Sequence, residues 1–444
     1  MEDAFIVRGG VPLRGTVKLS GAKNVALKVL IAGLLFDNPI TFSHIPHIND
    51  IDELLHLISK LGARSEFING NTVVIDATHL SENTIDLLHA SKIRVSFMLF
   101  APLLHRFGIA VIPNPGGCRI GARPIDRLMD MLKAFDVNVS YDSSTGYYTA
   151  LRKEKVLKGT HYRFEKPTHT GTELFIMLAS RAQGKSRLDN AAAEPEIDDL
   201  IRLINQAGGK VYREKDAIVV EGVEKLSLSS FTIMSDRIEA ATYASFALAT
   251  GGDITVKGTA VEHMQPFIDY VRKSNGGVEI NGRDIRFYKK DELTVTDIIT
   301  GPYPQFSTDW QGPWAVLMTQ AMGTSIIHET IFEGRFSYVA ELLKLGAQIE
   351  FFQPDIPDPT SFYHFKIENN GQLKKLQQAI RISGKTELHN GVLNASDIRA
   401  GATLLIAATV AKGESVVLGA SIIDRGYEEI NKKLQGLGAS IKRV

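Results

Sequence analysis

A weak internal repeat constrains the fold of this chain more than any other feature of its sequence. An amphipathic helix, a break of small residues and a short β-type stretch recur at intervals of roughly 70 residues. The six copies are 54–67 (LLHLISKLGARSEF), 128–141 (LMDMLKAFDVNVSY), 200–213 (LIRLINQAGGKVYR), 267–280 (FIDYVRKSNGGVEI), 339–351 (VAELLKLGAQIEF) and 430–443 (INKKLQGLGASIKR). Single cores stop growing at about 250–300 residues, so three copies in each of two domains is the natural division.

A second element recurs between these copies, in which a polar loop opens an apolar helix. The six loops are 20–24 (SGAKN), 90–96 (ASKIRVS), 168–173 (THTGTE), 235–240 (SDRIEA), 307–313 (STDWQGP) and 395–401 (ASDIRAG). Each offers Ser, Thr, Asp or Gly as a helix cap. The helices that follow are nearly all apolar, so we expect them to be central and buried. The pattern predicts an α/β fold of six strand–helix–strand–helix–strand units, divided near residues 229–235, with the Pro-rich stretch 353–361 (QPDIPDPTS) as an inserted loop.

Cations stand at the start of four of these six apolar helices: Lys23, Arg94, Arg237 and Arg399. Taken singly, each is a surface cation or part of a structural ion pair. Their repetition at one structural position favours a different interpretation, because helix N-termini and clustered cations together bind anions. The sequence therefore predicts a cationic cleft for phosphorylated substrates.

The overall charge gives no support to a nucleic-acid or membrane-surface role. Lys plus Arg and Asp plus Glu both number 50, and the pI is about 7.2. The start of the chain (MEDAFIVRGG) does not have the pattern of a signal peptide, and the longest apolar run, 25–36, is too short to span a bilayer. The single cysteine excludes an intrachain disulfide, and we expect a cytoplasmic protein.

That cysteine lies in a glycine-rich loop, 114–126 (NPGGCRIGARPID). A lone cysteine is usually a small buried apolar residue. Cys118, however, is flanked by Gly117 and Arg119, with Arg123 close by. Nearby cations lower the pKa of a thiol, so the setting favours a reactive group.

Four motifs together resemble the UDP-N-acetylglucosamine 1-carboxyvinyltransferase family of enolpyruvyl transferases. They are PGGC-x-IGARP-x-D in the cysteine loop, SGAKN at 20–24, DRGYE at 424–428 and VRGG-x-x-L-x-G-x-V at 7–17. The resemblance runs essentially end to end. It implies a two-domain inside-out α/β barrel of six βαβαββ repeats with buried helices, in which 23–233 form one domain and 1–22 plus 234–444 the other. It also implies phosphoenolpyruvate and UDP-N-acetylglucosamine as partners, no cofactor and no metal.

The implied reaction transfers the enolpyruvyl group to the 3-hydroxyl of the sugar nucleotide and releases phosphate, as the first committed step of peptidoglycan synthesis. By resemblance, Cys118 is the proton donor to C3, able to form a phosphoenolpyruvate adduct and to react with fosfomycin. Asp309 matches the base beside the hydroxyl, with a helix cap as the alternative. Lys23 and Arg425 complete the catalytic set that the resemblance implies.

The resemblance also implies the residues that bind substrate. Lys23 and Asn24 match a phosphoenolpyruvate-binding pair, and Arg123 and Arg425 match arginines on its phosphate and carboxylate. The remaining matches, on the carboxylate, the substrates and the nucleotide, are Arg399, Arg94, Pro124, Ile125, Asp126, Arg127, Gly171 and Ile331. For Asp126 a turn cap remains an alternative, and for Ile331 a core position. Asp236 and Arg237 could form an ion pair between domains or bind a ligand.

Three positions depart from the family pattern. The turn 168–173 reads THTGTE in place of a Ser-Val-Gly-Ala-Thr type, and Lys28 stands where proline is usual. Ile422 stands where histidine is frequent, and Lys166 is a candidate replacement for a uridine contact. These changes leave the acceptor open, with 3-phosphoshikimate 1-carboxyvinyltransferase or a non-catalytic sugar-nucleotide-binding regulator as alternative functions.

Overall fold

The structure, a computed structural model, describes residues 3–116, 125–367 and 377–444. They form two compact units. The N-unit consists of the described residues from 21 to 234, and the C-unit consists of those from 3 to 20 and from 235 to 444. The chain therefore leaves the C-unit after Ser20 and returns to it after Met234.

Short strands make up much of both units. In chain order they are β1 Ala4–Gly9, β2 Arg14–Lys18, β3 Ile40–Ser43, β4 Arg64–Asn69, β5 Thr72–Asp76, β6 Ile109–Pro113, β7 Val137–Asp142, β8 Tyr147–Arg152, β9 His161–Arg163, β10 Lys185–Asp189, β11 Lys210–Glu214, β12 Ala217–Glu221, β13 Ser230–Thr232, β14 Asp253–Lys257, β15 Gly277–Asn281, β16 Asp284–Tyr288, β17 Ile298–Ile299, β18 Gly323–His328, β19 Gln348–Phe352, β20 Ala379–Gly384, β21 Val392–Asn394, β22 Gly413–Leu418 and β23 Ser440–Arg443.

Helices alternate with these strands. They are α1 Lys23–Ala32, α2 Asn49–Lys60, α3 Leu87–Ala90, α4 Phe100–Phe107, α5 Asp126–Ala134, α6 His169–Ser180, α7 Pro195–Gln206, α8 Arg237–Ala249, α9 Val261–Lys273, α10 Gln311–Thr319, α11 Val339–Lys344, α12 Pro359–Phe362, α13 Ile398–Val410, α14 Ala420–Asp424 and α15 Ile430–Gly436. Three 3₁₀ turns, Gly33–Leu35, Arg94–Leu99 and Thr308–Trp310, adjoin α1, α4 and α10.

The described strands form six sheets, three in each unit, and the sheets share one topology. The N-unit contains the orders β13-β3-β5-β4, β11-β12-β10-β9 and β6-β8-β7, and the C-unit contains β15-β16-β14-β2, β17-β18-β20-β19 and β21-β22-β1-β23. Each four-stranded sheet has one parallel pair and two antiparallel pairs. In the three-stranded sheet, an isolated parallel bridge between Thr84 and Val111 supplies the missing parallel contact. The predicted six-repeat α/β fold is confirmed.

Three apolar helices occupy the centre of each unit: α1, α4 and α6 in the N-unit, and α8, α10 and α13 in the C-unit. Every residue of α8 and α10 is buried, as is all of α13 except Arg399 and Val410. A helix that is apolar on all sides is stable only when other elements surround it. In the C-unit, α10 packs against both α8 and α13. The prediction that these helices are buried is confirmed.

Side chains cap four of the six predicted helix starts. Asp236 accepts from the amides of Ile238 and Glu239, at 2.7 and 3.1 Å, and caps α8. Asp397 caps α13, Thr168 caps α6 and Ser307 caps the turn before α10. These caps satisfy amide groups that the first turn of a helix leaves unpaired. They also fix the loops in which the candidate site residues stand.

The Pro-rich stretch 353–361 forms part of the connection between β19 and β20 and overlaps α12. Behind it, the hydroxyl of Tyr363 lies 3.0 Å from Nε2 of His328 on β18, and both groups are buried. Of the helices that the structure describes, none combines the length and the apolar character needed to cross a membrane.

Candidate active site

The first candidate group, in the C-unit, is centred on Asp309. This residue lies in the 3₁₀ turn before α10, and its Oδ1 accepts from Nη2 of Arg335 at 2.5 Å and from Nε of Arg399 at 3.2 Å. Ser307, and not Asp309, provides the side-chain cap of this turn, so the alternative interpretation of Asp309 as a cap is wrong. The carboxylate is held by two arginines that reach it from different parts of the chain.

This pairing determines the charge of Asp309. Burial alone would raise the pKa of its carboxyl, but Arg399 and Arg335, with a smaller contribution from Arg237, hold that pKa well below its ordinary value. Asp309 is therefore an anion at neutral pH and a weak proton acceptor while both guanidinium groups remain beside it.

Arg335 was not identified from the sequence, although it stands four residues after Ile331, in the segment 329–336 (ETIFEGRF). It is 5% exposed, its Nε donates to the carbonyl of Thr308 at 3.3 Å, and its Nη1 lies 3.9 Å from Asp397. It thus connects the turn that carries Asp309 with the cap of α13. A buried arginine between two carboxylates fits the recognition of a planar anion.

Glu329 is a second residue that sequence reasoning missed. It is fully buried, and its Oε2 accepts from Thr308 at 2.9 Å and from Gln311 at 2.8 Å. Its Oε1 accepts from the amides of Ile331 and Phe332, at 2.7 and 3.0 Å. Burial raises the pKa of Glu329, against the effect of Arg335 and these hydrogen bonds. The carboxylate of Glu329 thus connects the loop of Ile331 with the turn of Asp309. Ile331 itself is half-buried and does not lie in the core.

The other predicted C-unit residues lie at the start of α8, on α13 and on the segment after α14. The guanidinium of Arg399 stands over the ring of Tyr427 at 5.5 Å. Burial lowers the pKa of Arg399, but Tyr427 and Asp309 raise that pKa by more. Arg425 directly follows α14 and is half-buried. Arg237 is 4% exposed and lies over the rings of Tyr303 and Trp310, at 5.5 and 5.3 Å.

The second candidate group, in the N-unit, begins at the start of α1. Lys23 is its first residue, and its Nζ lies 2.7 Å from Oδ2 of Asp50, with both side chains over nine-tenths buried. Asp50, in the first turn of α2, was not identified from the sequence. The half-buried Asn24 follows Lys23 on α1. Arg94 begins its 3₁₀ turn and lies over the ring of Phe97 at 6.0 Å.

Gly171 lies in the first turn of α6, where its amide donates to Oγ1 of Thr168 at 3.3 Å. A Cβ at this position would stand 2.5 Å from Cγ2 of Thr168, 2.6 Å from Phe164 and 3.1 Å from Leu128. Glycine is required here by close packing. The altered turn is therefore a tightly ordered part of the N-unit.

Part of the cysteine loop can be placed. Ile125 is buried, Asp126 is exposed as the first residue of α5, and the carbonyl of Arg127 accepts from Tyr162 at 3.4 Å. Asp126 stands in the first turn of α5, where its negative charge favours the helix start through the dipole. Cys118, Arg123 and Pro124 lie outside the described residues.

Comparison with known proteins decides the family. A model of the EPSP synthase (3-phosphoshikimate 1-carboxyvinyltransferase) family matches residues 7–434. UDP-N-acetylglucosamine 1-carboxyvinyltransferase of Desulforapulum autotrophicum is 39% identical over 445 residues, covering 100% of both chains. The enzyme of that name from Bartonella henselae is 35% identical over 455 residues, covering 100% of this chain and 99% of its own. The chain belongs to the UDP-N-acetylglucosamine 1-carboxyvinyltransferase family. The family predicted from the sequence is confirmed.

Solved structures of other enolpyruvyl transferases share the fold of this family member. The enolpyruvyl transferase NikO from Streptomyces tendae matches with a TM-score of 0.84 at 20% identity, covering 100% of this chain and 99% of its own. EPSP synthase from Acinetobacter baumannii matches with a TM-score of 0.71 at 15% identity, covering 100% of both chains. At these identities the likeness concerns the fold alone. Among the side chains that the structure describes, no group of three or more His, Cys, Asp and Glu residues is arranged to hold a metal ion.

Proposed function

We propose that this chain transfers the enolpyruvyl group of phosphoenolpyruvate to the 3-hydroxyl of UDP-N-acetylglucosamine and releases phosphate. The observation that carries the proposal is full-length identity of up to 39% to relatives of that name, with both chains covered completely. The hydroxyl oxygen bonds to C2 while C3 gains a proton, which gives a tetrahedral intermediate. Loss of a proton from C3 then expels phosphate from C2 and forms the enol ether. The product would enter peptidoglycan synthesis.

The arginine pair on Asp309 supports a role in binding the anionic reactants. Arg335 and Arg399 are both buried enough to interact strongly with a carboxylate or phosphate. A substrate anion that takes over these guanidinium groups would raise the pKa of Asp309 toward its ordinary value. In this proposal, Asp309 becomes a competent acceptor for the hydroxyl proton only when substrate is bound.

The remaining roles rest on the sequence motifs. We assign Cys118 as the acid that protonates C3, since a thiol can both donate a proton and act as a nucleophile. Lys23, Asn24, Arg123 and Arg425 would hold the phosphate and carboxylate of phosphoenolpyruvate. The residues assigned to the other substrate contacts are Arg94, Pro124, Ile125, Asp126, Arg127, Gly171, Ile331 and Arg399.

Phosphate release from phosphoenolpyruvate tests the proposal directly. The full-length chain is assayed with UDP-N-acetylglucosamine and, separately, with shikimate 3-phosphate as acceptor. We expect turnover with the sugar nucleotide alone. Turnover only with shikimate 3-phosphate would refute the acceptor, and tight sugar-nucleotide binding without turnover would instead support a regulatory protein.

Reaction with fosfomycin tests the assignment of the thiol. The wild-type chain should gain one covalent adduct by intact-mass spectrometry, whereas Cys118→Ser should gain none and lose most of its turnover. Full activity of Cys118→Ser would contradict the role of the thiol as the acid.

A further inference from the structure

The interior of the N-unit contains a cluster of charged groups that the proposed chemistry does not use. Nζ of Lys28, on α1, lies 3.4 Å from Oε2 of Glu173, on α6. Nε2 of His169, the first residue of α6, lies 3.2 Å from Oε1 of the same carboxylate. The side chain of Glu173 is completely buried, that of Lys28 is 9% exposed and that of His169 is 25% exposed.

This cluster is held by charge attraction more than by well-directed hydrogen bonds. Both carboxylate oxygens of Glu173, Nε2 of His169 and Oε2 of Glu194 are buried and make no hydrogen bond of good geometry with any residue that the structure describes. Buried polar atoms are normally satisfied, and removing charges from water costs more than most buried ion pairs return. The cluster is therefore a poor source of stability, and its retention needs another explanation.

The position of the cluster supplies that explanation. His169 and Glu173 stand one turn apart on α6 and bracket Gly171, the residue assigned to the acceptor. Lys28 lies on α1, the helix that begins with Lys23 and Asn24. The carboxylate of Glu173 thus connects the two helices of the N-unit whose first turns carry predicted substrate residues.

The cluster also unites two departures from the family pattern. Lys28 stands where proline is usual, and His169 belongs to the altered turn 168–173. Although far apart in sequence, both contact one carboxylate. The two changes are physically coupled, since each supplies a cationic partner to the same buried acid.

We propose that Lys28, Glu173 and His169 form a positioning element that sets the affinity of this chain for its sugar-nucleotide acceptor by fixing the first turn of α6. The inference rests on the proposed function, because it takes that turn as an acceptor contact. None of the three is assigned a part in the chemical step. They act through the backbone around Gly171.

The charge on His169 makes the element sensitive to pH. Burial alone would lower the pKa of its imidazole and Lys28 lowers it further, but Glu173 and Glu194 raise it by more, so the pKa lies above the ordinary value. These are the charged groups that face it from α6, α1 and the segment before α7. The pairing of the His169 imidazolium with Glu173 is fully present below the ordinary histidine pKa, and it is lost as the pH rises through the raised pKa of His169. Acceptor affinity should fall in the same direction.

Calorimetric titration of UDP-N-acetylglucosamine into the full-length chain, between about pH 6 and about pH 9, tests the inference. We compare wild type with His169→Val, which removes the partner of Glu173, and with His169→Gln, which keeps a neutral donor. His105→Gln is the matched control. The imidazole of His105, on α4, is hydrogen-bonded at 2.9 Å to the carbonyl of Leu178 on α6, the helix that carries His169. Burial lowers the pKa of His105 to about 4, so this side chain stays neutral over the whole pH range of the titration.

We expect His169→Val to weaken acceptor binding about 10-fold at the acidic end, because the charge attraction that holds the first turn of α6 to Glu173 is lost. The KM for phosphoenolpyruvate and kcat at saturating acceptor should change less than about 2-fold, because uniform ground-state binding alone is lost. His169→Gln should bind nearly as wild type does at the acidic end but without pH dependence. His105→Gln should retain the wild-type pH dependence.

If His169→Val kept the affinity and the pH dependence of wild type, the inference would be overturned but the proposed function would not, since the acceptor would then bind without the positioning element. An equal loss of kcat in every His169 variant would also overturn it, because the residue would then act in the chemical step. A wild-type chain that neither binds the sugar nucleotide nor releases phosphate would overturn the proposed function as well.

Discussion

Replacing Lys28 by methionine should show how much stability is lost when the buried carboxylate of Glu173 keeps only one of its two cationic partners. The substitution preserves most of the side-chain volume but leaves Glu173 buried with only His169 beside it, 3.2 Å away. Removing one partner of a buried ion pair lowers the free energy of unfolding by about 3–5 kcal/mol. Because the imidazolium of His169 remains beside Glu173, we expect a loss near the lower end of this range, about 3 kcal/mol. In a domain of this size, that corresponds to a fall in Tm of roughly 6–12 °C.

Differential scanning calorimetry measures the loss, and hydrogen exchange of peptides from α1 and α6 locates it. Two further variants are compared with Lys28→Met: the single variant Glu173→Gln, and the double variant that combines Lys28→Met with Glu173→Gln. In the double variant no buried charge lacks its partner. The double variant should unfold within about 1–2 kcal/mol of wild type, far less than the sum of the two single losses. Lys60→Met, at the exposed end of α2, controls for the substitution and should change stability by less than about 0.5 kcal/mol. Additive losses in the double variant would refute the coupling between Lys28 and Glu173.

Three further predictions concern the candidate active site and acid stability. Asp309→Asn should reduce kcat about 100-fold or more while the sugar nucleotide still binds in calorimetric titration; unchanged kcat would exclude the base role. Arg335→Met should lower kcat/KM for phosphoenolpyruvate about 100-fold, whereas Arg381→Met, which breaks an exposed pair with Glu350, should leave steady-state rates unchanged; equal effects would contradict a specific role for Arg335. Because the pKa of Asp309 is lowered in the folded protein, its carboxylate stabilises the fold above the ordinary aspartate pKa, and this contribution disappears as the pH falls. Asp309→Asn should therefore flatten the acid side of a plot of unfolding free energy against pH. A parallel shift of the whole curve would contradict this reasoning.

Much of the fold followed from local pattern. The repeated amphipathic and apolar helices predicted six units, and the structure contains six sheets with one shared topology. The caps at Asp236 and Asp397 were also readable, because a cap depends only on residues two or three positions away. Features of this kind can be read from the sequence without knowledge of how distant segments meet.

The partners of the site residues could not be read in this way. Asp50 beside Lys23, and Arg335 beside Asp309, come from separate elements, and only tertiary packing brings them together. Nothing in the spacing of a lone arginine within ETIFEGRF distinguishes it from a surface charge. The departure at Lys28 was visible in the sequence, but its connection with the turn at residue 169 was not, since it depends on how α1 and α6 lie within the N-unit.

The pairing of β1 imposes an order on biosynthesis. This strand lies between β22 and β23, and the amide of Val444 donates to the carbonyl of Ala4 at 3.0 Å. At the usual speed of a ribosome, roughly tens of seconds separate the synthesis of these partners. Until β22 is made, β1 has both hydrogen-bonding edges unpaired, whereas the described strands of the N-unit are complete as soon as β13 has been made.

A nascent chain of this protein therefore carries an unpaired C-unit strand ahead of an N-unit that can already fold. Unpaired strand edges are templates for association with other chains, so a stall late in translation exposes the nascent chain to aggregation. The strands that close this sheet of the C-unit, β22 and β23, are made long after β1, and loss of β23 would leave β1 with only one of its two partners.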